Sequence, residues 1–300
     1  MKPYPKIVLA GSVNSSYQTL KKLHEHKMDV VHVLALHPEK SKQVSGYNDL
    51  KMLAEELSIP ASYFKNINDL ETQDVLIQVK ADILFVIGLS QIVKSTVLNI
   101  PTHGCIGFHP TMLPEGRGRA AIAWTILKSL SPGVTFFQMD HGVDSGPIHA
   151  QVPIELASDE YPLTLIEKIK SAIDVALDEW LPKLHIGSVN LRPQNHAQAT
   201  YLGVRREKDG CIQWKESAEE VYKLIRASSH PYPGAFSFVH GEKIKIYSAT
   251  LRPEFTGISG RVLAIEHDNP IIACGKGAIE LGEAQSAQTI NWKIGMDLDL

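Results

Sequence analysis

The apolar run Ile7-Val-Leu-Ala10 ends in Gly11-Ser12, and apolar positions then recur at Tyr17, Leu20 and Leu23, the spacing of a helix packed by one face. A short continuous apolar run leading into such a stripe is the pattern of a buried parallel strand entering its crossover helix. The strand signal returns at 30–36 and 83–88, and residues 49–57 and 68–79 carry helical spacing between them. This alternation predicts a doubly wound α/β domain with a mainly parallel sheet. Further on, 104–108 reads as a short strand, 120–130 as a helix and 133–139 as a strand. A long amphipathic helix over 163–180 follows, with Pro182 expected to stop it.

The grain changes after that helix. Residues 186–201 are polar and interrupted, as in Arg192-Pro-Gln-Asn-His196, and read as a linker. Beyond them a helix over 217–227 precedes short alternating strands such as 243–247 and 261–265. The expected plan is a catalytic domain over 1–187, a linker over 188–202 and a small β-rich, OB-like domain over 203–300.

Composition narrows the class of partner. The 300 residues are 44% hydrophobic and 21% charged, ordinary values for a globular chain. No apolar run approaches the roughly 20 residues of a membrane span, so no membrane partner and a cytoplasmic location are expected. Cys105, Cys211 and Cys274 are odd in number and far apart, and the 13 histidines are scattered, so neither a disulfide framework nor a metal site is indicated. A net charge of -3 gives no general attraction to phosphate backbones, and nucleic acid is disfavoured as a partner. Gly11-Ser-Val-Asn-Ser-Ser16 lacks the Gly-x-Gly-x-x-Gly fingerprint of nicotinamide cofactors, although Ser12 could meet an anion there.

Candidate chemistry gathers at two strand ends. Phe108-His-Pro-Thr-Met-Leu-Pro-Glu-Gly-Arg-Gly-Arg119 follows one strand, its prolines and glycines prescribing a rigid non-helical excursion, and Asp140-His-Gly-Val-Asp-Ser-Gly146 follows the next. Open α/β sheets bind ligands at the carboxyl ends of their strands. His109 beside Asp144 suits proton management in acyl transfer, because a carboxylate can orient an imidazole and stabilise its protonated form. Spacing alone is weak evidence, since a lone histidine beside a strand is more often structural.

The run from His109 to Arg119, with Trp124, Gly133-Val-Thr135, Met139-Asp140 and Gly142-Val-Asp-Ser-Gly146, resembles the folate-dependent formyltransferases. Asp209-Gly-Cys-Ile-Gln-Trp214, Ile225-Arg-Ala227 and Pro231-Tyr-Pro-Gly-Ala-Phe236 resemble the second domain that methionyl-tRNA and sugar-nucleotide formyltransferases share. The resemblance implies a Rossmann-like catalytic domain and 10-formyltetrahydrofolate as co-substrate. The folate would lie against Gly88, Leu89 and Ser90 and against Asp140, His141, Gly142 and Val143. It further implies His109 and Asp144 as catalytic residues acting on an amine acceptor.

The family carries an Asn two residues before this histidine, where the present chain has Gly107. Gln91 is the nearest amide that could replace that oxyanion donor, with the Ser90 hydroxyl a lesser candidate. A tRNA acceptor needs basic surface, yet 37–47 holds only Lys40 and Lys42, so a nucleotide-linked 4-amino sugar is the expected acceptor, as in UDP- or dTDP-sugars of pseudaminic acid-type or surface-polysaccharide pathways. Ser12, Tyr47, Asn48, Thr111, Arg117, Arg119 and Arg226 are the expected substrate contacts, the arginines meeting the diphosphate. A methionyl-tRNA formyltransferase and a non-catalytic folate- or nucleotide-binding homologue remain alternatives, and a homodimer stays open.

Overall fold

A computed structural model describes residues 5–185 and 190–299, so positions 188 and 189 of the expected linker lie outside the described residues. Two compact units result. The first holds the described residues up to Ala121 with Ser131–Glu155 and Ile166–Gly203; the second holds Ile122–Leu130, Leu156–Leu165 and those from Val204 on.

Along the chain to Leu202 the elements are β1 (Ile7–Gly11), α1 (Asn14–Glu25), β2 (Val30–Leu36), α2 (Leu50–Glu56), β3 (Ala61–Phe64), α3 (Leu70–Gln78), β4 (Ile83–Ile87) and α4 (Ser95–Leu98). There follow β5 (Cys105–Thr111), β6 (Arg117–Gly118), α5 (Ala121–Lys128), β7 (Pro132–Gln138), β8 (Ile148–Pro153), α6 (Pro162–His185) and β9 (Tyr201–Leu202). One seven-stranded sheet runs β3-β2-β1-β4-β5-β7-β8, parallel as far as β5 and antiparallel through β7 and β8. Every residue of β1 and β4 is buried, which is why both read as unbroken apolar runs. The strand order reverses between β1 and β4, opening the crevice where such sheets bind ligands. Ser16 Oγ donates to the Ile87 carbonyl at 2.6 Å and Ser12 Oγ to the Gly88 carbonyl at 3.0 Å, tying those two strand ends together.

β5 and α6 depart from the sequence expectation. β5 runs on through His109 to Thr111, with a register break between those residues at Pro110, which has no N–H to give the ladder. His109 is therefore set by a strand rather than a loop. The helix expected to stop at Pro182 continues to His185 with that proline inside it. A proline removes one backbone bond, whereas Ile173, Leu177, Trp180 and Leu181 are buried and Trp180 packs against the rings of Phe85 and Phe136. Packing outweighs the lost bond.

The second unit holds α7 (Ala218–Ser228), whose Ser217 cap accepts the Glu220 N–H. It also holds β10 (Ala235–Val239), β11 (Glu242–Ile246), β12 (Ala249–Arg252), β13 (Val262–Glu266), β14 (Asn269–Ala273), β15 (Ala278–Leu281) and β16 (Ala284–Ser286). These form antiparallel sheets β10-β11-β16 and β12-β15-β14-β13 around a core that includes Trp214, Ile225, Ile272 and Ile279. A β-rich C-terminal region after a parallel-dominated domain is thus the architecture found.

Candidate active site

The His109 ring is 6% exposed, and its Nε2 stands 2.6 Å from the Gly116 carbonyl oxygen. A carbonyl only accepts, so Nε2 carries a proton and donates it, leaving Nδ1 as the other reactive ring position. Nδ1 faces Asp144 Oδ2 at 3.6 Å, longer than a hydrogen bond. Asp144 adopts φ +50°, a left-handed backbone that an L-residue enters at a cost of roughly 1–2 kcal/mol. Its Oδ2 is fixed by the Gly118 N–H at 2.8 Å. The tripeptide Gly116-Arg117-Gly118 therefore grips the imidazole at one end and the carboxylate at the other.

That tripeptide is itself held by the segment expected to be a linker. β6 pairs in parallel with β9, Arg117 N–H donates to the Thr200 carbonyl at 2.9 Å, and Gly116 N–H donates to Thr200 Oγ1 at 2.8 Å. Gly118 has φ +110°, and a Cβ there would lie 2.4 Å from the Leu202 carbonyl oxygen, so this pairing admits only glycine. Gln194 bridges Arg117 to the carbonyls of Asp144 and Gly146. Sequence reasoning missed Gln194, Thr200 and Tyr201, because a Gln-Asn-His run beside proline carries no pattern that separates a packed polar bridge from a solvated loop.

The residues expected to meet folate form two turns. In the first, the Ser90 carbonyl accepts from Arg119 Nη1 at 3.2 Å. In the second, Asp140 Oδ1 accepts from Gly142 N–H at 2.9 Å and Ser145 Oγ at 2.6 Å, which shapes the turn and leaves Val143 51% exposed. Asp140 and His141 line a cavity of about 560 Å³ with Asn99, His103 and Gln138. Ile92, beside the first turn, is 81% exposed.

Several expected substrate contacts hold internal hydrogen bonds. Arg117 is 1% exposed: Nε and Nη2 donate to Gln194 Oε1, Nη1 to Tyr201 Oη and Nη2 to His196 Nδ1, so its fork is turned into the protein rather than toward solvent. Arg226, in the second unit, is buried over the Tyr222 ring with Nη1 on the Glu160 carbonyl. Ser12 is spent on Gly88, Thr111 Oγ1 on the Glu115 carbonyl, Tyr47 Oη on the Leu36 carbonyl, and the Asn48 amide donates to Asn14 Oδ1. Trp124 lies in the second unit under the Arg205 guanidinium, 5.4 Å from the ring centre. Gln91 is also committed: its Nε2 donates to the Lys65 carbonyl and its Oε1 accepts the Ile67 N–H, anchoring the turn before α3. Of the three arginines expected to meet the diphosphate, Arg119 alone is exposed.

The formyl transferase family model matches residues 6–179, and the formyl transferase C-terminal domain model matches 205–294. The chain belongs to the formyl transferase family. Among curated relatives, the methionyl-tRNA formyltransferase of Kosmotoga olearia is 32% identical over 286 residues, 93% of this chain and 91% of that protein. The one from Geobacter metallireducens is 29% identical over 283 residues, covering 93% and 90%. Among solved structures, the sugar 3N-formyl transferase WlaRD, with dTDP and 5-N-formyl-THF, has a TM-score of 0.69 at 20% identity over 96% of this chain and all of that one. HypX from Aquifex aeolicus has a TM-score of 0.70 at 18% identity over 95% of this chain and 45% of its own. The fold is shared with these structures. Among the described residues no helix is long and apolar enough to cross a membrane.

Proposed function

We propose that the protein transfers a formyl group from 10-formyltetrahydrofolate to the amino group of a nucleotide-linked 4-amino-4-deoxy sugar. A folate fits the two turns in kind: Val143 and Ile92 offer exposed apolar surface to a flat ring system, beside backbone polar groups that the Asp140 turn holds open. Bound there, the co-substrate supplies an activated formyl carbon. The protein's own part is to position the amine and take the proton it releases. With Nε2–H occupied by Gly116, Nδ1 of His109 is the position that can receive that proton, and Asp144 stands where the resulting imidazolium needs a counter-charge. The same Nδ1–H can then donate to oxygen developing negative charge.

The observation that carries the acceptor is charge. From 204 to 300 the sequence has 12 Lys and Arg against 13 Asp and Glu, a stretch with no net positive charge to attract a tRNA, and the 37–47 segment is closed by a short 3-10 turn at Pro38–Gln43. Exposed Arg119 is the donor that remains for a diphosphate. The methionyl-tRNA reading is favoured by the names of the curated relatives and is the second reading. Tetrahydrofolate release measured with a panel of UDP- and dTDP-linked 4-amino sugars, and in parallel with charged initiator tRNA, separates the two. Release with a sugar nucleotide alone is expected; release with charged tRNA alone refutes the sugar acceptor, and release with none refutes both.

A further inference from the structure

We propose that Gln194, acting with Arg117, is the positioning group that sets where the Asp144 carboxylate stands against His109. The inference rests on the catalytic reading of that pair. Gln194 is 6% exposed and every hydrogen-bonding valence of its amide is directed at this one region. Nε2 donates to the Asp144 carbonyl at 2.9 Å and to the Gly146 carbonyl at 2.7 Å. Oε1 accepts from Arg117 Nε at 3.2 Å and Nη2 at 2.7 Å. The guanidinium is then steadied from behind by Tyr201 Oη and His196 Nδ1, each 3.1 Å away.

Covalent geometry turns these bonds into a clamp. Arg117 is the central residue of the tripeptide whose Gly116 carbonyl holds the imidazole and whose Gly118 N–H holds the Asp144 carboxylate. Its side chain, through Gln194, fixes the backbone of that same aspartate. Asp144 is thus held at both ends, side chain by Gly118 and main chain by Gln194, in a left-handed conformation that it would otherwise leave. The carboxylate's distance from Nδ1 follows from a closed ring of bonds, not from flexible loop geometry. The ionisable groups of this network are Asp144, which faces His109, Arg117, which reaches the Asp144 backbone through Gln194, and His196 and Tyr201, which bond Arg117.

The amide cannot be replaced by either half of its chemistry. Gln194→Glu keeps the acceptor for Arg117 but points a carboxylate oxygen at two carbonyls, and Arg117→Lys keeps the charge but loses the planar fork that meets Oε1 twice. In the full chain, Gln194→Glu is expected to lower kcat by about 10²-fold, the effect of a roughly 1 Å misplacement, with KM for the formyl donor within about twofold of wild type. Arg117→Lys is expected to act in the same direction by less. The ring nitrogens of His109, followed by 15N-resolved NMR across pH, are expected to titrate at a displaced midpoint in both variants.

A His109 titration that superimposes on wild type in Gln194→Glu overturns the proposal. So does a kcat loss no larger than that of Leu20→Ala, a core variant on α1, at the same loss of Tm. Should Gln194→Glu fail to fold, Gln194→Met, which keeps length and removes both valences, takes its place in the same measurements. If the wild type turns over no acceptor, the functional reading fails by itself, and the NMR arm still decides whether Gln194 governs the pair.

Discussion

Gly107 stands directly opposite Phe137 across the β5–β7 ladder, and Phe137 is buried against Leu113, Ile148 and Met139. A Cβ built at position 107 would lie 2.6 Å from Cζ and 2.9 Å from Cε1 of that ring, with Met139 Cγ at 3.1 Å. Carbon atoms rest at about 3.5–4.0 Å, so even alanine drives the ring back by roughly an ångström into a filled cluster. Overpacking of that kind costs about 1–3 kcal/mol. Gly107→Ala should lower the unfolding free energy by that amount in urea denaturation, and combining it with Phe137→Leu should recover at least about 0.5 kcal/mol relative to the sum of the single changes. Additivity within about 0.3 kcal/mol would show that the ring does not occupy this space and would refute the reasoning. The consequence for chemistry is direct. The amide that related enzymes carry at this position has no room here while Phe137 keeps its place, so Gly107→Asn alone should destabilise the protein rather than supply an oxyanion donor.

Asp144→Asn retains an oxygen for the Gly118 N–H while removing the charge facing His109 Nδ1, so kcat should fall by about 10²–10⁴ in the folate-release assay; a change under threefold would exclude the pair from catalysis. Gln91→Ala should cost about 0.5–1.5 kcal/mol in urea for its bonds to Lys65 and Ile67 and leave kcat within about threefold, whereas a tenfold loss at unchanged stability would return its amide to the chemistry. Burial pushes His149 down from 6.5 to about 4, and its Nδ1 has no partner. The unfolded chain therefore binds a proton that the folded chain refuses, so stability is whole above pH 6.5 and declines toward pH 4, by up to about 3 kcal/mol. His149→Phe, which keeps the ring packed on Trp180, should flatten that part of the pH–stability curve measured by urea titration; an unchanged slope between pH 7 and 5 would locate the dependence elsewhere.

The elements legible in the sequence were those whose apolar pattern matches the period of the element. β1, β2 and β4 announce themselves as apolar runs because both faces of a parallel sheet are covered, and α7 because its stripe and its Ser217 cap agree. β8 carries no such run: it lies at the sheet edge with only Ile148 buried, and its signal is a short alternation of Ile148, Ala150 and Val152 with His149 and Gln151. The end of α6 was misjudged because a local rule about proline was allowed to decide what the buried face of Leu177, Trp180 and Leu181 decides in the fold.

At the site, residue type and order singled out His109 and Asp144, which the fold brings to 3.6 Å of each other, but charge was a poor guide to which groups are exposed. Arg117 and Arg119 are two residues apart in one loop and indistinguishable by composition, yet one is buried with its fork satisfied and the other is exposed. What separates them is Gln194, 77 positions on from Arg117, which gives the first arginine an internal partner. A buried guanidinium is tolerated only when its donors are met, so the glutamine and the arginine must be read together or not at all. Replacing either alone should therefore cost more than about 1 kcal/mol in urea denaturation, since the survivor is left a buried polar group without its partner, and a smaller cost would refute the coupling.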